Sequence, residues 1–273
     1  MNEIFKDKII IVAGGASGIG REIVSQLAIN DAKIVIVDRD LENGTSLQAE
    51  LKEYTVAFQQ SDMTNASEVE KLFDSVFQEY GRIDYVFNSA GNFMGGEIRD
   101  TPLENWQAVM QNNIWAVYNG THYAYQIMLI QKYGHIINFA SAAGLFPVPG
   151  MGIYCSTKYA IVGLSEALRH EAKSLGIKVS TVCPTIVDTP LYDTAIYNKV
   201  NIQKALKKRS KLQTPEFAAQ RVLKGVSKNR AIIHTAGSTR IGWWIYKFAP
   251  WLYDISAQRI IGMYRKNFRM VDK

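Results

Sequence analysis

Tyr154 and Lys158 stand four residues apart in the run Tyr154-Cys155-Ser156-Thr157-Lys158, a spacing that puts a phenol and an ammonium on one face of a helix. A phenol can pass a proton to or from a substrate oxygen, and a nearby cation changes how readily it does so. The pair alone recurs by chance in many helices. Its weight comes from Ser141, a hydroxyl 13 residues earlier that directly follows the strand-like run 134–140. Ser141 therefore falls at the carboxyl end of a strand, where open α/β sheets bind ligands. A second motif, Gly14-Gly15-Ala16-Ser17-Gly18-Ile19-Gly20, follows the apolar run 8–13. Glycines at 14, 18 and 20 let the backbone turn tightly and approach a pyrophosphate, and the helix beginning near Gly20 aims free N–H groups at that charge. The G-x-x-x-G-x-G spacing departs from the commoner G-x-G-x-x-G, so on its own the loop is equally an ordinary turn.

The elements that must position these groups follow from periodicity. Strands are expected at 8–13, 33–38, 54–60, 85–89, 134–140 and 178–183, with one more possible at 231–234. Helices are expected at 20–30, 66–80, 103–133 and 154–175. Strands recurring with helical crossovers predict a doubly wound, Rossmann-like parallel sheet with helices on both faces, in a single domain. Asp38 closes the second strand, 18 residues beyond Gly20. There it can accept hydrogen bonds from adenosine ribose hydroxyls and repel a 2′-phosphate, which favours NAD over NADP. The alternatives stay open: Asp38 can be a turn residue or helix cap, and Arg39 could instead clamp a 2′-phosphate.

With these motifs in order, residues 6–190 resemble the short-chain dehydrogenase/reductase superfamily. The resemblance rests on Gly14 to Gly20, Asp38, Asp62, Asn88-Ser89-Ala90-Gly91, Asn113, Ser141, Tyr154 with Lys158, and Pro184 to Thr189. It implies that Tyr154 is the general acid/base. Lys158 would lower its pKa and hold the nicotinamide ribose, Ser141 would donate to the reacting oxygen, and Asn113 would anchor a proton-relay water. It further implies cofactor contacts from Gly14, Ser17, Gly18, Ile19, Gly20, Met63, Asn88, Ala90, Gly91 and Val187, with Asp62 near the adenine and Thr189 near the carboxamide. Ala13, Ser89, Ala140 and Thr185 depart from the usual pattern, and none touches the implied proton path. The implied activity is interconversion of a secondary alcohol and a ketone, in a homodimer or homotetramer built through helices near 103–133 and 154–175. Phe93, Met94, Leu145, Phe146, Val148, Met151, Ile186 and Leu191 flank the motifs and predict an apolar, lipid-, steroid- or acyl-like substrate. A non-enzymatic NAD sensor on the same fold is the rival, and it has no need of the intact Asn113, Ser141, Tyr154 and Lys158.

The composition narrows the rest. Two cysteines, Cys155 and Cys183, cannot build a disulfide framework, and the early apolar run 9–13 is too short for a signal-peptide core or a span. Both predict a cytoplasmic protein. Four scattered histidines lack metal-ligand spacing, so no metal is expected. Net charge is −8 over residues 1–198 and +14 over residues 199–273. The basic stretch includes Lys199, Lys204, Lys207, Lys208, Arg209 and Lys211, around an expected substrate flap near 190–213. Residues 1–240 are read as the dinucleotide-binding unit, and 241–273 as an amphipathic aromatic and basic helical extension broken at Pro250. Ile241, Trp244, Ile245 and Phe248 fall on one helical face. That face is expected either to pack on the core or a neighbouring subunit, or to meet an anionic membrane; an acidic carrier is a further possibility. No nucleic-acid motif accompanies the charge.

Overall fold

The computed structural model describes residues 2–201 and 212–270. Five of the expected strand runs become β1 (Ile9–Ala13), β2 (Lys33–Asp38), β3 (Val56–Gln60), β4 (Tyr85–Asn88) and, after a short two-residue β5 (Met94–Gly95), β6 (Gly134–Phe139). The later strands are β7 (Ile177–Cys183), β8 (Ile196–Tyr197) and β9 (Ile232–His234). Seven of them form one parallel sheet in the order β3-β2-β1-β4-β6-β7-β9. The order reverses between β1 and β4, and that switch point opens the crevice in which such sheets bind ligands.

Every residue of β1 is buried, as a central strand covered on both faces requires. Ile9, Ile11 and Ala13 enter one core with α3 (Ala66–Tyr80), α5 (Ala116–Gln131) and the end of α6 (Gly152–Ala172). Ile10 and Val12 enter the other with α1 (Gly18–Ala28), Leu47 of α2 (Leu41–Glu50), and α7 (Pro215–Ser227). The alternation along one strand thus builds two cores.

Three features differ from the sequence expectation. The stretch 103–133 is not one uniform helix: α4 (Leu103–Met110) and α5 are joined by a five-residue π turn, Gln111–Trp115. Helices α2 and α7 were not expected; Asp40 caps the first by accepting from Asn43 N at 3.0 Å, and Thr214 with Pro215 starts the second. The small strands β5 and β8 pair parallel to each other, folding residues 196–197 back beside 94–95.

The break at Pro250 is present. It separates α8 (Gly237–Phe248) from α9 (Pro250–Asn267). Neither helix is a candidate span: among the described residues, no helix is long and apolar enough to cross a membrane.

Candidate active site

The carboxyl ends of β1, β4, β6 and β7 converge on a cleft of about 850 Å³. Gly14 and Gly18 both have positive φ (+73° and +54°), which only glycine adopts without strain. A Cβ on Gly14 would lie 2.6 Å from the Ala90 main-chain nitrogen, so the loops after β1 and β4 meet too closely for any side chain. A Cβ on Gly20 would drive into the Gly14 carbonyl, so Gly20 sets the approach of α1 to its own loop. Ser17 caps α1 with extended backbone yet makes no side-chain cap bond. The N–H groups of that first turn therefore face the cleft as an anion site.

Asp38 reaches the rim with two structural duties. One carboxylate oxygen accepts from Ala16 N at 3.1 Å and the other from Asp40 N at 3.2 Å. Asp38 is thus a turn residue, and each carboxylate oxygen keeps a further lone pair for another donor. Arg39 lines the same end of the cleft. Asp62, Met63, Ala90, Gly91, Val187 and Thr189 also line it, as do Ser17, Ile19, Ser141, Tyr154 and Lys158.

Three expected site residues stand behind the wall. Gly20 packs against the loop. Asn88 is 1% exposed, and its amide donates to Asn138 Oδ1 at 2.9 Å and to Thr121 Oγ1 at 3.3 Å, in a polar network inside the sheet. Asn113, fully buried in the π turn, accepts from Asn92 N at 2.6 Å and donates to Asn92 O at 2.9 Å and Thr157 Oγ1 at 3.1 Å. Both ends of its amide are engaged by protein groups, while Oδ1 keeps a further lone pair. The side chain pins the loop after β4 onto the π turn and α6, with Gly91 wedged between the Asn113 amide and Lys158 Nζ.

Lys158 and Tyr154 share one face of α6, as their spacing requires. The ammonium donates to Phe139 O at 3.2 Å and lies 5.6 Å from the centre of the Tyr154 ring. Burial brings its pKa down to about 8, so the cation is held with little solvent to support it. Burial also pushes the Tyr154 phenol well above its ordinary value; the neighbouring Tyr192 adds to this, and a hydrogen bond with Ser141 pulls the other way. Ser141 is placed by its own main chain: it opens a 3₁₀ turn and accepts from Ala143 N at 3.2 Å.

The Tyr154 ring packs into an aromatic cluster, of which Tyr192, with Leu191, lines the cleft. Phe93 meets the Tyr154 ring edge-on at 5.0 Å and Tyr192 at 5.2 Å, with Tyr197 at 6.1 Å. Val148, Met151 and Leu191 pack on the same cluster, and of these Leu191 lines the cleft. Met94, Leu145, Phe146 and Ile186 do not belong to it. Met94 joins Val109 and Ile153, Leu145 and Phe146 pack with Val117 and Ile161, and Ile186 is 52% exposed. Tyr192 and Tyr197 were missed, because only the β5–β8 pairing brings residues 192–197 back to Phe93.

The polar groups elsewhere are structural. His135 is buried against Ser180 Oγ at 2.8 Å, and desolvation brings it down to about 3, so it stays neutral. Cys155 is bonded to the Val148 main chain and burial raises its thiol, so it is no nucleophile. No metal-holding group of His, Cys, Asp or Glu occurs among the described residues.

Comparison with known proteins agrees with this architecture. Residues 8–199 match the short chain dehydrogenase family. An uncharacterized oxidoreductase of Staphylococcus saprophyticus is 35% identical over 195 residues, covering 71% of this chain and 79% of that one. One from Staphylococcus aureus is 31% identical over 229 residues, 84% of this chain and 95% of its own. A short chain dehydrogenase/reductase from Burkholderia phymatum, solved in complex with NAD, superposes with a TM-score of 0.82 at 27% identity, covering 93% of this chain and 96% of that one.

Proposed function

The chain belongs to the short-chain dehydrogenase/reductase family of oxidoreductases, and from that premise we propose that it interconverts a secondary alcohol and a ketone with NAD, using Tyr154 as the acid/base. One observation carries the reading: Ser141, Tyr154 and Lys158 reach a single cleft at the sheet's switch point, between a glycine-lined anion site and an aromatic wall. The residues present fit a dinucleotide. Gly14, Gly18 and the first turn of α1 would hold its pyrophosphate, Asp38 its adenosine ribose, and Asp62 and Met63 would flank the adenine end. When bound, the nicotinamide supplies the hydride carrier.

The chain's own residues do the remaining work. Tyr154 takes the proton from the substrate hydroxyl during oxidation and returns it to the carbonyl oxygen during reduction. Ser141 hydrogen-bonds that oxygen and, through its bond to Tyr154, favours the phenolate. Lys158 supplies positive charge beside the phenol and a donor for the ribose. Asn113 acts by position: it holds Asn92 and Gly91 against Lys158. Leu191 and Tyr192, backed by Phe93 and Tyr197, exclude water on that side of the cleft and fit an apolar alcohol or ketone. Asp38 favours NAD, and Arg39 keeps an NADP-dependent reductase as the alternative. Exposed Leu103, Met110 and Trp115 on α4 and the π turn support assembly as a homodimer or homotetramer through that face. Two buried, reduced cysteines suit a cytoplasmic enzyme.

The test is a screen of apolar secondary alcohols and ketones with each nicotinamide cofactor, followed by absorbance, with Tyr154→Phe as control. Turnover should appear with NAD and fall about 10²–10⁴-fold in Tyr154→Phe while NADH still binds. Near-normal turnover in that variant would refute the assignment.

A further inference from the structure

Helices α8 and α9 use their inner faces on the body of the protein. Gly242 lies against the Phe146 ring, Trp243 packs near His234 at 5.8 Å, and Tyr246 and Tyr253 meet at 5.1 Å. The Tyr253 hydroxyl donates to Pro147 O, Tyr264 covers Gly150, and Arg265 and Arg269 bond Glu97 and Asp100. Among the described residues, the outer faces meet nothing of this kind. Ile241, Trp244, Ile245 and Phe248 are 38–64% exposed and fall at i, i+3, i+4 and i+7, one side of α8. Across the Pro250 turn, Trp251, Leu252 and Ile255 are 42–63% exposed and continue the surface. Isolated exposed apolar residues are ordinary on a protein, but seven on one short hairpin, two of them tryptophans, mark a surface for contact.

The charge around the patch selects its occupant. Arg240, Lys247, Arg259 and Lys266 are all exposed on the same two helices, and Asp254 is the only acidic residue between 237 and 270. Lys247 lies over the rings of Trp243 and Phe248 at 5.4 and 5.6 Å, so its stem follows the aromatic face while its charge stays outermost. An isologous contact with a second copy would set this cationic face against the same cationic face of its partner. An anionic lipid surface meets the same cations with opposite charge, and tryptophan side chains favour the headgroup boundary.

The geometry points to the α8–α9 hairpin as a peripheral docking face for anionic phospholipid bilayers, lying on the surface rather than crossing it. The hairpin's inner face contacts Phe146, Pro147 and Gly150, and the adjoining Val148 and Met151 form part of the Tyr154 wall. Docking therefore sets the substrate side of the cleft beside the bilayer. The docking itself does not depend on the activity proposed above.

The experiment uses the full chain and vesicles of phosphatidylcholine alone or with about one-third phosphatidylglycerol, sedimented at low and at high salt. Binding to the anionic vesicles at low salt, weakened at high salt and accompanied by a blue shift of tryptophan fluorescence, is the expected result. The exposed-residue variant Trp244→Ser/Phe248→Ser/Trp251→Ser should lose at least tenfold in partitioning while its far-UV spectrum, monomer or oligomer mass and nicotinamide binding stay those of the parent. Arg240→Gln/Lys247→Gln/Arg259→Gln should erase the preference for anionic vesicles. Failure of the parent to bind either vesicle at low salt overturns the proposal. So does full binding by the serine variant, or a fall in its oligomeric mass, which would assign the face to a second copy.

Discussion

Consider Asn113→Ala. The Asn113 amide satisfies both main-chain polar groups of Asn92, with a donor at 2.6 Å and an acceptor at 2.9 Å, at a fully buried position. Removing it leaves the N–H and C=O of the half-buried Asn92 without that partner, at about 1 kcal/mol each where water replaces it and up to about 3 kcal/mol each where it does not. The third bond contributes less, because the Thr157 hydroxyl keeps its own acceptor, Tyr154 O, at 2.9 Å. The expected loss is therefore about 2–6 kcal/mol, or roughly 1–2 M in the urea midpoint at a slope near 3 kcal/mol/M. Asn113→Asp should share most of that loss, since a carboxylate cannot donate to Asn92 O. Urea titrations followed by circular dichroism measure the midpoint, and turnover well below it measures the site. Turnover should fall as well, because the loop carrying Gly91 beside Lys158 is no longer held. A midpoint shift under about 0.3 M with unchanged turnover would refute the view that this amide builds the loop.

Asp38→Ser should narrow or invert the preference for NADH over NADPH by removing the repelling carboxylate; fluorescence titration of both cofactors decides, and a parent preference for NADPH would transfer control to Arg39. Gly20→Ala should weaken cofactor binding at least tenfold, since the new methyl displaces the Gly14 carbonyl, and unchanged binding by the same titration would contradict the close approach. His135 titrates near 3 in the fold against about 6.5 unfolded. The unfolded chain therefore binds the extra proton between those values, and stability falls as pH drops through that window by about 1.4 kcal/mol per unit. His135→Gln should flatten that segment of a midpoint-against-pH curve, and an unaltered slope would assign the acid sensitivity to other groups.

Much of this was legible in the amino-acid order, and the failures share a cause. The βα alternation was readable because the inner strands β1, β2, β6 and β7 carry β-branched residues and are largely buried on both faces. The glycine turn, Ser141 and Tyr154-x-x-x-Lys158 were readable because their chemistry fixes local spacing. The π turn was hidden because the apolar pattern across 103–133 persists through it, and only the hydrogen-bond register changes. Helix α2 was hidden because its buried residues are only Gly44 and Leu47. The pocket wall was misassigned by proximity in sequence: Phe93 and Met94 are consecutive in extended chain, so they face opposite ways, one to Tyr154 and the other to Val109 and Ile153. Tyr192 and Tyr197 sit in a segment without periodicity, placed by a pairing with residues a hundred positions earlier. Residues 204–211, part of the basic flap expectation, lie outside the described residues.

The ion pairs between Arg265 and Glu97 and between Arg269 and Asp100 span about 170 positions of chain, and they carry a consequence for synthesis. The glycine loop, Asp38 and strands β1 to β7 have all left the ribosome before α9 begins to be made. At about 5–20 residues per second, the gap between Cys183 and Arg269 amounts to several seconds. During that interval the nicotinamide half of the cleft has the residues it needs, while the substrate half lacks the helix that braces residues 97–100 and 146–150. On the proposed function, nascent chains stalled with residue 240 clear of the ribosome should recognise cofactor before they can retain an alcohol or ketone, so the order of translation becomes the order in which the two proposed ligand sites mature.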